Sequence, residues 1–202
     1  MLPPTHKSLA GILLAAGGST RLGQPKQLYE WRSKPLVCHA VENCLAVCGA
    51  GVIVVTGSHA QDVEAALQTY AVQIVRNRQW ATGMSGSLRA GIQQLGVGVS
   101  GILVSLCDQP LLDAGDLAGL AKLWQVKPAL PAAALYNGVT GVPAIFPASL
   151  LDSLLELRGD AGARALLDAC PSVSTVEMPS AAFDVDTVDD LARLRAHEVD
   201  CD

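Results

Sequence analysis

The sequence predicts a single-domain α/β protein built on a doubly wound, mostly parallel sheet. Three observations carry this expectation. Strand-like apolar runs alternate with helical patterns over most of the 202 residues, half of all residues are apolar, and a glycine-rich turn follows the first apolar run directly. A chain of this length buries one substantial core, and no stretch reads as a linker between two folding units. Residues 1–7 read as a flexible N-terminal extension and 8–202 as the domain.

In chain order, the first strand is expected over 9–14, followed by a helix from Pro35 to about Val47. Strands at 52–56 and 72–75 alternate with helices from about Gln61 to Tyr70 and from about Ser85 to Leu95. A strand at 101–106 leads into a helix near 113–125 and an apolar segment at 131–136. Such continuous apolar runs suit strands covered on both faces. Beyond Gly138 the rhythm is less regular: a strand at 142–146, helices near 149–157 and 161–169, a strand near 173–177 and a last helix from about 188.

Composition narrows the function. The net charge of −5 and the lack of Lys/Arg clusters exclude a basic nucleic-acid-binding surface, which leaves small-molecule chemistry. The six cysteines show neither C-x-x-C pairs nor metal-ligand spacing, and nothing reads as a signal peptide, so reduced thiols in the cytoplasm are expected. The apolar runs are too short to span a membrane.

The chemistry concentrates after the first strand, in Leu14-Ala15-Ala16-Gly17-Gly18-Ser19-Thr20-Arg21-Leu22-Gly23-Gln24-Pro25-Lys26. Small residues let the backbone pass close to a ligand and offer N–H groups to phosphate oxygens, while Arg21 and Lys26 supply positive charge. A nucleoside triphosphate is the expected ligand. Gly18 and Gly23 have the spacing of a P-loop, but Gln24-Pro25-Lys26 follows where Lys and Ser/Thr are required. The dinucleotide fingerprint G-x-G-x-x-G is missing too.

Carboxylates for a metal stand at two further strand ends. Asp108 follows the apolar run Leu103–Leu106, and Asp184-Val185-Asp186 precedes the last helix, alternation sending both of its carboxylates to one side. Magnesium takes one or two protein carboxylates with phosphate oxygens and water, so one from each cluster suffices. Asp186-Thr187 also reads as a helix start, with Thr187 as N-cap and Asp190 three residues on. The stretch from Asn77 to Gly91 joins a strand to a helix through small and hydroxyl residues, with Gly83, Met84, Ser85 and Ser87 placed to meet a base or ribose.

The loop resembles L-A-A-G-x-S-x-R-x-G-x-x-K, the signature of the MobA-like NTP transferase family, in which the molybdenum cofactor cytidylyltransferases are the nearest branch. Gln27-Leu28, Trp31 and Lys34-Pro35-Leu36 continue the likeness, as do Asn77, Trp80, Gly83-Met84 and Ser87-Leu88. The resemblance implies a Rossmann-like nucleotidyltransferase fold whose loop, Leu14 to Ser19 with Arg21 and Lys26, wraps the triphosphate. It implies metal binding by Asp108, in Asp108-Gln109-Pro110, and by Asp186, with Asp184 as substitute. Segments 138–146 and 158–164 resemble the acceptor side of the family and bring in Gly141, Pro143 and Asp160, although Thr140-Gly141-Val142 replaces the family's R-G-H.

The expected reaction is magnesium-dependent transfer of a nucleoside monophosphate from an NTP to a phosphorylated acceptor. Ala15-Ala16, in place of a further glycine, leaves less room beside the base and favours CTP. The resemblance points to molybdopterin as acceptor and to a molybdoenzyme or its chaperone as partner. A sugar or alditol phosphate as acceptor, and a non-catalytic carrier of nucleotide or molybdenum cofactor, are the alternatives.

Overall fold

The computed structural model describes residues 8–199; the expected extension over 1–7 lies outside the described residues. The sheet has seven strands in the order β5-β4-β1-β6-β8-β7-β9. At its centre is β1 (Ser8–Ala15), buried from Ala10 onward and paired in parallel with β4 (Val52–Thr56) and β6 (Val99–Leu106). Beyond β4 lies β5 (Gln73–Arg76), again parallel. On the other side β8 (Val139–Pro147) runs antiparallel to both β6 and β7 (Ala132–Tyr136), and β9 (Ser174–Glu177) closes the edge parallel to β7.

The single reversal has a local cause. Asn137 and Gly138 take φ of 50° and 73°, the left-handed pair that a two-residue hairpin turn needs, so β7 folds back into β8 instead of crossing over through a helix. The expected strand at 142–146 therefore starts earlier, as the return arm of a hairpin. A smaller hairpin, β2 (Glu30–Trp31) with β3 (Lys34–Pro35), turns through Arg32 and Ser33, also at positive φ. Arg-Ser carries no turn signature, so no local pattern marks this pair.

Helices cover both faces. The helices α1 (Leu36–Cys48), α2 (Ala60–Ala66) and α4 (Ala114–Val126) pack with Leu13, Val54 and Leu103, while α3 (Met84–Ile92), α5 (Leu151–Glu156) and α6 (Ala163–Ala169) pack with Ile12, Val55 and Val104. Neighbouring strand residues thus feed opposite cores, as the two-residue period requires. The Trp124 ring packs closely on β6 because Gly101 has no side chain; a Cβ there would come within 2.6 Å of the ring. The start of α4 is fixed by reciprocal bonds between Asp113 and Asp116, a full capping box. The expected helix from Gln61 to Tyr70 is shorter in the structure, ending at Ala66.

A third, smaller core decides the site. Leu22, Trp31 and Leu36 pack with Phe183, Val185, Leu191 and Leu194, joining the loop after β1 to α7 (Val188–Val199) and the segment before it. The chain order reverses at β1, with β4 to one side and β6 to the other, so that loop sits at the crevice where doubly wound sheets bind ligands.

Candidate active site

Two anchors bring the distant acidic segments to the glycine loop. Burial of Leu22 and Val185 in the third core carries their neighbours Arg21 and Asp186 to one place, and the Val185 N–H donates to the Asp108 carbonyl at 2.9 Å. Gln109, 5 % exposed, donates through Nε2 to the carbonyls of Ala181 at 2.9 Å and Val142 at 3.3 Å, cross-linking the end of β6, the return strand β8 and the acidic segment.

The result is a compact charge network. Lys26 Nζ donates to Asp108 Oδ2 at 2.6 Å and to Asp186 Oδ1 at 2.8 Å, and Arg21 Nη2 donates to Asp186 Oδ2 at 2.7 Å. The Lys26 side chain is 12 % exposed and Asp108 17 %, whereas Arg21 is 70 % exposed and contributes an outer charge. Burial opposes the Lys26 charge, but the Asp108 carboxylate and hydrogen bonds to Asp108 and Asp186 overcome it and hold the ammonium well above its ordinary pKa. Asp186 is likewise disfavoured by burial, yet its bonds to Lys26 and the charges of Lys26 and Arg21 keep it below the usual carboxylate range. Asp184 reaches solvent, but crowding of its carboxyl by protein atoms, then the charges of Asp108 and Asp186, push it up to about 6.

Thr187 and Asp190 form the expected helix start, since Asp190 Oδ2 accepts from Thr187 N at 2.9 Å and Asp190 N donates to Thr187 Oγ1 at 3.3 Å. Capping therefore falls to Thr187 and Asp190, which frees the Asp186 carboxylate for the lysine. Asp108 Oδ1 is buried with no hydrogen-bond partner. An unpartnered buried carboxylate oxygen is costly, and it is the type of donor that a hard divalent cation takes.

The network stands at the mouth of a cavity of about 350 Å³. Its lining combines Leu14, Ala16, Gly17, Gly18, Lys26 and Asp108 with Trp80, Gly83, Met84, Ser87 and Asp160. A smaller recess of about 190 Å³ holds Ser19, Arg21 and Asp186 beside the same glycines. Ala15, Asn77 and Ser85 stand behind the walls. Asn77 Nδ2 donates to Ser87 Oγ at 3.0 Å, and Ser85 donates through N and Oγ to the Gly159 carbonyl at 3.1 and 2.9 Å. Gly83, at φ 118°, lies so close to the Gly159 carbonyl that a Cβ would overlap it, so this latch between the two loops requires glycine. Gly141 and Pro143 face neither cavity; Gly141 is buried under the Tyr136 ring, and Val142 between them is the residue that reaches a cavity.

Sequence reasoning gave no role to Gln27 or Gln109. Gln27 is fully buried, donates to the carbonyls of Ala15 at 3.1 Å and Gly17 at 2.7 Å, and accepts from Ser19 Oγ at 3.3 Å. It ties the glycine loop shut from beneath. Gln27→Leu is expected to strip two buried carbonyls of their donor, costing about 1–3 kcal/mol and lowering the melting temperature by roughly 2–12 °C. An unchanged melting temperature would show that the loop does not depend on this side chain. The Trp80 ring covers Gly18, where a Cβ would come within 2.8 Å, and lines the cavity.

The glycine loop stands at the switch point of the doubly wound sheet, where such sheets bind ligands, with two carboxylates and a buried lysine beside it. The chain belongs to the MobA-like NTP transferase family, whose domain matches residues 11–175. Over its whole length it is similar to the nicotine blue oxidoreductase of Paenarthrobacter nicotinovorans, with 34 % identity over 92 % of this chain and 96 % of that one. It is also similar to the molybdenum cofactor cytidylyltransferase of Escherichia coli strain K12, with 26 % identity over 89 % and 91 %. Among solved structures, a homologue of Mycobacterium tuberculosis Rv0371c from Mycobacterium sp. strain JC1 superposes with a TM-score of 0.84 at 28 % identity, covering 97 % of this chain and 99 % of that one. Rv0371c of Mycobacterium tuberculosis H37Rv, in complex with manganese, superposes with a TM-score of 0.78 at 26 % identity over 93 % and 97 %.

Proposed function

We propose that this nucleotidyltransferase is a magnesium-dependent cytidylyltransferase that moves CMP from CTP to a phosphorylated acceptor, with molybdopterin as the first candidate. The observation that carries this reading is the network of Lys26, Arg21, Asp108 and Asp186 against the glycine loop. An oxygen of the acceptor phosphate bonds to the α-phosphorus of CTP as the bond to the bridging oxygen breaks, and pyrophosphate leaves. That oxygen is already anionic, so no general base is required; alignment and charge neutralisation supply the catalysis.

The free protein holds its two carboxylates together with an ammonium. When a triphosphate enters, Lys26 exchanges Asp108 and Asp186 for phosphate oxygens, with Arg21 closing from outside. Asp108, with its unpartnered Oδ1, and Asp186 are then the ligands for a divalent cation, which when bound offsets negative charge on the triphosphate. The manganese complex of the Mycobacterium tuberculosis relative supports divalent-metal use in this fold.

Base choice rests on Ala16 and Trp80, which stand next to each other in the lining of the first cavity. CTP is expected to exceed GTP by about tenfold or more in kcat/KM, the scale on which a size-limited pocket discriminates. The test is pyrophosphate release from each of the four NTPs over a panel of phosphorylated acceptors, including molybdopterin and sugar and alditol phosphates. A GTP preference reverses the base assignment. Release with a sugar phosphate but not molybdopterin moves the acceptor, and with it the expected molybdoenzyme or chaperone partner.

One observation favours a second reading. The 34 % identity with nicotine blue oxidoreductase suggests that the same loop holds the pyrophosphate of a reduced nicotinamide dinucleotide, which passes a hydride to an organic acceptor. NADPH oxidation with a quinoid dye as acceptor separates the two, because the transferase reading expects none. A pure carrier of cofactor expects neither reaction.

A further inference from the structure

Beside the first cavity lies a second of about 390 Å³, and the two share Leu14, Met84, Leu106 and Asp160. Its floor is the sheet itself, through Val104, Leu106 and Val142, and its roof is the turn into α6, where Ala161, Gly162 and Ala163 keep the space open. At Gly162 a Cβ would come within 2.6 Å of Met84 Sδ, so the roof and the shared wall already touch.

The polar groups around this space are unusual. Among its lining residues there is no Ser, Thr, Asn, Gln, Tyr, His or Trp; the polar side chains are Asp160, Arg164 and Asp168. Arg164 Nε lies 3.8 Å from Asp168 Oδ2, which largely cancels that pair, while Asp160 has no hydrogen bond or ion pair among the described residues. The rim is therefore net negative, and the side chains inside it are apolar. A charged group would lose water here without a buried partner of opposite sign, and an anion would meet Asp160. A volume in the range of small-molecule sites, with apolar walls, suits a flat hydrocarbon-like ring.

We propose that the second cavity is a binding site for a flat aromatic body that is neutral or cationic. Its place as the seat of the acceptor body rests on the transferase reading above; the chemistry of what it binds does not. A phosphorylated acceptor would lay its ring over Val104, Leu106 and Val142 while its phosphate reaches past Asp160 toward Lys26. Val142 is the specificity-determining residue, since it replaces a polar position of the family pattern with an apolar floor.

The test is fluorescence titration of the full chain with phenylnaphthylamine, which is neutral, and with anilinonaphthalene sulfonate, which adds an anion to the same rings. The neutral probe is expected to bind about tenfold tighter or better, and Asp160→Asn is expected to narrow the gap. Ala161→Phe, which fills the cavity from the roof, is expected to weaken the neutral probe by about tenfold or more. Ala165→Phe does the same from a more exposed position, should the first variant fold poorly. Equal binding of the two probes, or neutral-probe binding untouched by both fillings, overturns the proposal. Calorimetry with CTP and magnesium on the parent protein keeps the two readings apart: a parent that binds CTP but not the neutral probe sinks this inference alone, and one that binds the neutral probe but not CTP sinks the transferase reading alone.

Discussion

Lys26→Ala is expected to lower turnover by about two orders of magnitude or more while the fold persists, because the ammonium neutralises charge that grows on the triphosphate as its bond breaks. Lys26 comes from a short turn after the glycine loop and lies in none of the three cores, so circular dichroism should be unchanged. A second readout follows from its partners. In the free protein Lys26 bridges Asp108 and Asp186 at 2.6 and 2.8 Å. Its removal leaves two carboxylates facing each other, so manganese alone should bind at least as tightly as to the parent even though turnover falls. A folded Lys26→Ala protein with near-normal turnover on its true substrate pair would take the residue out of the mechanism.

Asp108→Ala is expected to match that loss by a different route. The stabilisation a metal supplies, several kcal/mol, corresponds to roughly a hundredfold or more in rate. Asp108 also holds the least exposed end of the lysine bridge, so its loss frees Lys26 as well as removing the unpartnered oxygen. Asp186→Ala should cost less, and Asp186→Asn less again, since an amide oxygen can still ligate. The double variant Asp108→Ala, Asp186→Ala should be no worse than the sum, because both single changes act on one shared ion. Turnover against magnesium concentration reads all four. Full turnover with an unchanged magnesium requirement in Asp186→Ala would shift the second ligand to Asp184.

The local parts of this site were legible in the sequence and the long-range parts were not. A glycine loop after an apolar strand, or a carboxylate at a strand end, is a pattern within a dozen residues, so Gly17, Lys26 and Asp108 could be found from their neighbours. The pairing of Lys26 with Asp186 spans 160 positions and depends on Leu22 and Val185 sharing a small core, which no local pattern states. The acidic pair Asp184 and Asp186 before the last helix marks a metal candidate, and the family resemblance selects Asp186 from it, but neither states which residues it meets. Gln27 and Gln109 were missed because glutamine ordinarily sits on surfaces, and its use as a buried cross-link appears only once the carbonyls around it are known. In the fold, the alternation of strands and helices was visible up to β7. The reversal at Asn137-Gly138 was marked by a strong turn signal but was read as irregularity, and the Arg32-Ser33 turn was marked by none.

The central claim, that Lys26, Asp108 and Asp186 form a seat for a metal-bound triphosphate, is tested most directly by calorimetric titration of the parent protein with CTP, with and without magnesium, and with NADPH alongside. The expected result is CTP binding that tightens by about tenfold or more when magnesium is added, and NADPH binding at least about tenfold weaker than CTP with magnesium. NADPH binding tighter than CTP, together with CTP binding indifferent to magnesium, would contradict it.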